Sequence, residues 1–250
     1  MNILVTAGNT LTPIDKVRCI TNIFTGRTGA GIALQAAQGG HSVTLLTSHS
    51  EAIQELADHL NGAAERLEVR RYRTFDDLGA ALAELVRRPG LEAVIHAAAV
   101  SDYQAAGIFA PRSDTHFRPE TATWESTTAK PPALVDVSAG KVKSDAPELW
   151  LRLERTPKLV DLFRRDWGFR GLLVKFKLEA GISEERLLEI AEKSRVQSAA
   201  DLMVANTLEG SGTWAFLGPI GDRYERIGRR DLADRLLREV ERLHQERSHG

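Results

Sequence analysis

Apolar residues fall along this chain in two rhythms. Short runs of branched and aliphatic side chains occur at Ile3–Thr6, Val43–Leu46, Ala93–Ala98, Leu172–Phe176 and Leu202–Ala205. Runs of that length without polar alternation predict strands covered on both faces, as in a parallel sheet. Between them, apolar positions recur every three or four residues. Helices are predicted over Gly29–Gln38, over Phe75–Arg88 with Leu78, Leu82 and Leu85 on one face, and over Ser183–Gln197. Thr156-Pro157 sets a capping residue before a proline suited to a first helical position, which predicts a further helix over Pro157–Arg165. Asp231–Glu246 spaces Leu232, Leu236, Val240 and Leu243 in one stripe among charges, an amphipathic closing helix. Strand and helix in alternation predict an α/β fold with a Rossmann-like, mostly parallel sheet flanked by helices.

One stretch follows neither rhythm. Tyr103–Val137 is rich in proline, serine and threonine and has no sustained period. It reads as a long excursion, over about 103–140, within a single domain spanning 1–250. Loops of that length in compact domains are usually functional, so a lid or a dimer arm is expected.

Charge and composition then remove several functions. The chain has 250 residues, 33 basic and 34 acidic, so nothing in its bulk charge attracts nucleic acid or a membrane surface. Cys19 is the sole cysteine, which excludes a disulfide framework and a cysteine zinc site and fits a reducing compartment; the cytoplasm is the expected location. The first residues read as a strand rather than a signal segment, and no apolar run reaches membrane-spanning length.

Candidate chemistry begins where the first strand ends. Thr6-Ala7-Gly8-Asn9-Thr10 and Thr25-Gly26-Arg27-Thr28-Gly29-Ala30-Gly31 are both candidate phosphate cradles, since glycines let backbone N–H groups approach an anion and a helix amino end adds partial positive charge. Tight-turn geometry alone accounts for such glycines equally well. Their spacing does not reproduce G-x-G-x-x-G, and there is no Tyr-x-x-x-Lys pair, so a nicotinamide-dependent reductase is poorly supported. Between the clusters, Arg18 and Asn22 stand four residues apart and would share a face of a helix. Arginine suits a carboxylate or phosphate, and an asparagine amide can bond an oxygen as charge develops on it; a solvated loop is the bland alternative.

The order Val5-Thr6-Ala7-Gly8-Asn9-Thr10, Pro13-Ile14-Asp15, Val17-Arg18, Ile20, Asn22, Thr25-Gly26 and Gly29 resembles the opening signature of phosphopantothenate–cysteine ligases. Further matches follow in register: His96–Tyr103, Lys141-Val142-Lys143, Thr156-Pro157-Lys158, Lys175–Glu179, Ala191–Ser194 and Ala200–Asn206. No flavin-dependent decarboxylase half precedes these motifs, so the resemblance is to the free-standing form. It implies a ligase that activates the 4′-phosphopantothenate carboxylate with CTP or ATP and couples it to cysteine in coenzyme A biosynthesis, with Mg2+ on the nucleotide and no flavin. Carried over residue by residue, it gives Arg18 and Asn22 to the acid substrate and acyl intermediate, with Ala99 beside them. Lys141 would neutralise phosphate charge. Gly8, Thr25, Gly26, Gly29, Ala97, Ala98, Asp102, Lys158, Phe176, Lys193 and Asn206 would hold the nucleotide. The resemblance also implies a homodimer. It assigns no metal ligands and leaves CTP or ATP open.

Several positions depart from the family. Asn9 stands where a second glycine is common, Phe24-Thr25 where serines are usual, Gln197 where bacterial forms often have a lysine, and Thr207 where they place an acid. A non-catalytic nucleotide-binding protein on the same fold is therefore the alternative reading. Cys19 is not needed as a nucleophile, because the reacting thiol-bearing amino acid is the substrate.

Overall fold

The structure, a computed structural model, describes residues 1–51 and 63–249. In chain order its elements are β1 (Asn2–Ala7), β2 (Thr12–Pro13), β3 (Cys19–Ile20), α1 (Arg27–Gln38), β4 (Ser42–Thr47), β5 (Leu67–Arg71), α2 (Phe75–Val86) and β6 (Ala93–His96). There follow β7 (Tyr103–Pro111), β8 (Thr115–Arg118), β9 (Thr123–Ser126), β10 (Leu134–Asp136), β11 (Trp150–Arg155) and α3 (Leu159–Arg165). The chain then continues with β12 (Leu172–Glu179), α4 (Glu184–Gln197), β13 (Leu202–Thr207), β14 (Trp214–Ile220), β15 (Arg223–Gly228) and α5 (Leu232–His249). These gather into two compact units, one made of residues 1–10, 23–100 and 158–250, the other of residues 11–22 and 101–157.

The first unit is an eight-stranded sheet in the order β15-β14-β13-β12-β6-β1-β4-β5, mostly parallel, with helices on both faces. The six strands from β13 to β5 run parallel, and β14 and β15 complete the edge antiparallel. Strand periodicity of two sorts each strand's side chains between the faces. Ile3, Val5, Val43, Leu45, Ile95, Val174 and Val204 pack with the alanine-rich face of α1 and with Leu232, Leu236 and Val240 of α5. Leu4, Leu46, Val94 and Leu173 meet Leu78 and Leu82 of α2 and Val160 and Phe163 of α3. Met203, Ala205 and Phe216 cluster with Leu187 and Ala191 of α4. The order in which strands are added reverses between the parallel neighbours β1 and β6: from β1 the sheet grows outward to β4 and β5, and from β6 it grows the other way to β12 and β13. The carboxyl ends of β1 and β6 therefore flank a topological switch point, the place where open α/β sheets bind ligands.

Local signals account for the helix boundaries. Thr74 and Asp77 form a reciprocal capping box at α2, and Ser183 caps α4 by accepting from the Arg186 N–H at 3.2 Å. The helix expected over Pro157–Arg165 instead begins at Leu159, with Lys158 as its cap residue. Thr156 is drawn elsewhere. Its hydroxyl donates to the Ser101 carbonyl at 2.7 Å and its N–H to the Asp102 carbonyl at 3.0 Å, and the helix has no side-chain cap bond. The apolar periods do not reach β14 and β15. Those strands are joined through Gly221-Asp222, both at positive φ, the backbone of a two-residue hairpin turn.

The second unit is built of antiparallel ribbons: a three-stranded sheet in the order β10-β7-β11, and the pairs β2–β3 and β8–β9. Strands thus occupy much of the stretch expected to be an irregular excursion. Their period was hidden because they are half-exposed, so polar and apolar residues share both faces. The Trp150 ring packs edge to face with Phe117 and Trp124 at centroid distances of 4.7 and 4.6 Å, and those two rings meet at a tilt 5.2 Å apart. No helix among the described residues is long and apolar enough to cross a membrane.

Candidate functional site

At the switch point two loops meet backbone to backbone. Gly8, immediately after β1, has φ +85°, and a Cβ placed on it would lie 2.2 Å from the Ser48 hydroxyl oxygen. Gly26, the cap residue of α1, has φ +79°, and its Cβ would lie 2.2 Å from the Gly8 nitrogen. Both positions need glycine for conformation and for space. Gly29 brings α1 down onto β1, since its Cβ would come within 2.8 Å of Ala7 Cβ and the Thr6 carbonyl. The amino end of α1 has no side-chain cap and no acidic residue in its first turn, the condition in which a helix end favours an anion. Thr25 is exposed beside it.

Asn9 does not fill this cradle. Its side chain is buried, with Oδ1 accepting from Ser48 Oγ at 3.3 Å and facing His49 Nε2 at 3.2 Å, while its N–H donates to Ser48 Oγ at 2.9 Å. The departure from glycine therefore ties the β1 loop to the end of β4. Ser48 and His49 are participants that no sequence motif marked.

The wall opposite comes from the segment after β6. The strand expected to reach Ala98 ends at His96, but pairing continues: Ala98 N–H donates to Thr6 Oγ1 at 3.1 Å, Ala99 N–H to the Gly8 carbonyl at 2.8 Å, and Thr10 N–H to the Ala99 carbonyl at 3.2 Å. Half-buried Ala97, Ala98 and Ala99 thus lie alongside Gly8 and Asn9 with only methyl groups to occupy the crevice. Beneath them His96 is paired with Thr6 on one side and Lys175 on the other. Its Nδ1 lies 3.0 Å from Thr6 Oγ1. Burial, helped by the Lys175 charge, pushes its pKa down to about 4, so the ring is neutral near pH 7.

Lys175 is a buried cation outside the expected set. Its Nζ donates to Ser198 Oγ at 2.6 Å and to the Ser194 carbonyl at 3.1 Å, and Ser198 Oγ donates to Asp161 Oδ1 at 2.6 Å. Gln197 completes the group through Asp161 Oδ2 at 3.0 Å. The network joins the carboxyl end of α4 to the first turn of α3. Desolvation lowers the lysine's pKa to about 8. A lysine within an apolar strand run was the available signal. Of the two expected nucleotide-binding lysines on these helices, Lys158 and Lys193 are both exposed. Phe176 is half-buried against the core on the α1 and α5 side, and Asn206 and Thr207 are buried at the end of β13. Thr207 Oγ1 accepts the Gly210 N–H at 3.1 Å, beside an open pocket that also includes Ile182, Glu184 and Trp214.

In the second unit Arg18 and Asn22 do not lie on a helix. Asp15 turns the chain between β2 and β3: its Oδ1 accepts the N–H groups of Val17 and Arg18 at 2.8 and 2.7 Å. Its Oδ2 accepts Arg18 Nη2 at 2.6 Å and the Val142 N–H at 3.1 Å. The Arg18 guanidinium holds the Asp15 carboxyl well below the usual carboxylate range. Arg18 Nη2 also donates to the Val142 carbonyl at 2.9 Å, so Arg18 and the exposed Lys141 belong to one cluster. Asn22 is half-buried just past β3, Cys19 is exposed in β3, and Asp102 is exposed before β7. Among the described residues no three His, Cys, Asp or Glu side chains group to hold a metal ion.

A Rossmann-like, mostly parallel sheet with glycines in close approach at its switch point defines the general class, an open α/β fold. The comparisons narrow it. Residues 1–114 match the family model described as DNA/pantothenate metabolism flavoprotein C-terminal domain. The chain is 30% identical over 246 residues, 96% of its length, to the coenzyme A biosynthesis bifunctional protein CoaBC of Thermococcus kodakarensis, of which it covers 51%. The DNA/pantothenate metabolism flavoprotein of Streptococcus pneumoniae superposes with a TM-score of 0.74 at 27% identity, over 98% of this chain and 100% of that one. A Cab2 variant solved in complex with phosphopantothenate-cysteine has the same fold, with a TM-score of 0.68 at 19% identity over 98% of this chain and 86% of that one. The chain spans about half the length of the curated relative it matches. The resemblance to phosphopantothenate–cysteine ligases is borne out.

Proposed function

We propose that the chain is a nucleoside-triphosphate-dependent ligase that joins 4′-phosphopantothenate to cysteine in coenzyme A biosynthesis. The observation that carries this reading is the similarity, along nearly the whole chain, to a bifunctional protein of that pathway. A glycine cradle at the switch point agrees with it. In the first step a carboxylate oxygen of the acid attacks the α-phosphorus and the bond to pyrophosphate breaks, giving an acyl-nucleotide. In the second the cysteine amine attacks the acyl carbon, and nucleoside monophosphate leaves with the proton balance completed by solvent. The acid needs this activation because a free carboxylate is a poor acyl donor, and the protein's task is positioning and charge stabilisation.

On this reading the backbone at Gly8, Gly26 and Gly29, with Thr25, holds phosphates. Ala97, Ala98, Phe176 and Asn206 receive base and ribose, and Asp102, Lys158 and Lys193 serve the nucleotide. Arg18 and Ala99 take the acid, the Asn22 amide bonds the acyl oxygen as charge develops, and Lys141 neutralises the leaving pyrophosphate. Mg2+ fits as a passenger on the phosphates, the usual way this ion is held where carboxylate ligands are few. The protein works as a homodimer in the cytoplasm, without flavin, and takes CTP or ATP.

The test is pyrophosphate release with Mg2+, 4′-phosphopantothenate and either nucleotide, with and without cysteine, for the intact protein and for Asn22→Asp. Release that requires phosphopantothenate and favours one nucleotide supports the ligase. Nucleotide binding with no release would replace it with the non-catalytic reading.

A further inference from the structure

Arg229 follows β15 and carries a half-buried guanidinium. Its position is fixed by a backbone bond from its N–H to the Thr213 carbonyl at 2.9 Å, and its Nη2 donates to the Thr28 hydroxyl in the first turn of α1. No carboxylate among the described residues lies within ion-pairing distance of it, and burial alone acts on its pKa, pushing it down. Other partly buried arginines are paired: Arg164 with Asp201 at 2.8 Å and Arg195 with Glu192 at 2.6 Å. Even Arg18, the arginine expected to hold the acid substrate, already forks onto Asp15. A guanidinium keeps its charge throughout the physiological range. Drawing it partly out of water with only a hydroxyl for company is unfavourable until a counter-charge arrives.

We propose that Arg229 is a phosphate-binding residue of the nucleotide site, its planar fork closing on the polyphosphate laid against Gly8 and Gly26. The inference rests on the nucleotide-dependent reading above. It is carried by the missing counter-charge of Arg229 and by where that side chain is anchored. Thr28 holds the guanidinium at the amino end of α1, beside Gly26, and a triphosphate supplies what the threonine lacks, several anionic oxygens in the spacing a guanidinium bonds two at a time. Thr28, in the second glycine cluster, and Arg229 are 201 residues apart in sequence, so no local motif links them.

Calorimetric titration of the intact protein with CTP and ATP, each with Mg2+, and with CMP and AMP tests the assignment in wild type, Arg229→Met and Arg229→Lys. The expected result for Arg229→Met is a triphosphate affinity lower by about 10- to 100-fold, with monophosphate affinity held within about threefold. Arg229→Lys keeps the charge and a bond to Thr28 but not the fork, and should fold as wild type and lose about tenfold. Either variant binding triphosphate as tightly as wild type would overturn the proposal. So would an equal loss for mono- and triphosphate accompanied by a lower melting temperature, which marks a structural residue. Wild type that binds neither CTP nor ATP removes the nucleotide-dependent reading itself. Wild type that binds a triphosphate while releasing no pyrophosphate leaves the Arg229 comparison fully readable, so the two failures are separate.

Discussion

The two units hold their candidate residues by different physics. In the first, Gly8, Ala97, Phe176 and Asn206 stand at or near the ends of parallel strands closed on both faces, so burial of Val5, Ile95, Val174 and Val204 fixes where they are. In the second, Arg18, Asn22, Lys141 and Asp102 stand on segments that are largely exposed, and one carboxylate, Asp15, sets the local geometry by accepting from Val17, Arg18 and Val142. Position comes from apolar packing in one unit and from hydrogen-bond satisfaction in the other. They should therefore answer to different perturbations.

The strongest contrast is expected from Phe163→Ala. Phe163 is fully buried and touches the rings of His96, Trp167 and Phe169, so truncation should cost about 3–5 kcal/mol, read as a lowered denaturant midpoint. A cost below about 1 kcal/mol would mean that this face of the sheet collapses around the cavity, contrary to a closely packed core. Acid comes next. His96 has its pKa lowered to about 4 from 6.5, so between those values the unfolded chain binds a proton that the folded chain does not. Stability is then full above about pH 6.5 and falls as pH drops toward 4, by up to about 3 kcal/mol, a loss that His96→Phe should blunt. In the second unit, Asp114 is held at about 2 by Arg112, and Asp15 is held low by Arg18, so its ties persist through the same window. Hydrogen exchange at pH 4.5 against pH 7 should show amides of β6 and β12 losing protection before those of β7 and β11. The reverse order would break the comparison. The smallest effect is expected from Asp15→Asn. It removes the charge opposite Arg18 while keeping the side chain's shape and, on the proposed function, should raise the KM for 4′-phosphopantothenate about tenfold with the melting temperature little changed. An unchanged KM would detach the Asp15 turn from substrate binding.

Legibility in the sequence followed the same division. The five apolar runs appear as β1, β4, β6, β12 and β13, and four of the expected helices differ from α1, α2, α4 and α5 only at their ends. Burial on both faces leaves a plain mark. The glycines at 8, 26 and 29 were readable as sites of close approach because a missing Cβ is itself the signal. What escaped depends on partners far along the chain. Thr156 has the chemistry of a helix cap, yet the Ser101 carbonyl takes its hydroxyl. Arg18 and Asn22 fit a helical spacing, but Asp15, three residues before Arg18, bends that segment into a hairpin. The ribbons of the second unit carry no strict alternation, since half-exposed strands accept either kind of residue on either face. Nothing local distinguishes Arg229 from its neighbours Arg226 and Arg230; only the fold shows that Arg226 pairs with Glu184, that Arg230 is exposed, and that Arg229 is half-buried without an acid.

The division of the chain into three segments for the first unit and two for the second has a consequence for anyone cutting the gene. The polypeptide passes from one unit to the other four times, near residues 10, 22, 100 and 157, so no single pair of end points excises either unit whole. A fragment stopped at Val100 would keep β6, β1, β4 and β5 but lose β12, leaving the ladder edge of β6 bare along Ala93–His96. It would also strip α5 from the alanine-rich face of α1. Such a fragment presents an unpaired apolar strand to its own copies and should precipitate when made. Tags, fluorescent fusions and library diversity belong instead at turns that both units can spare, and Gly221-Asp222 at the tip of the edge hairpin is one such opening.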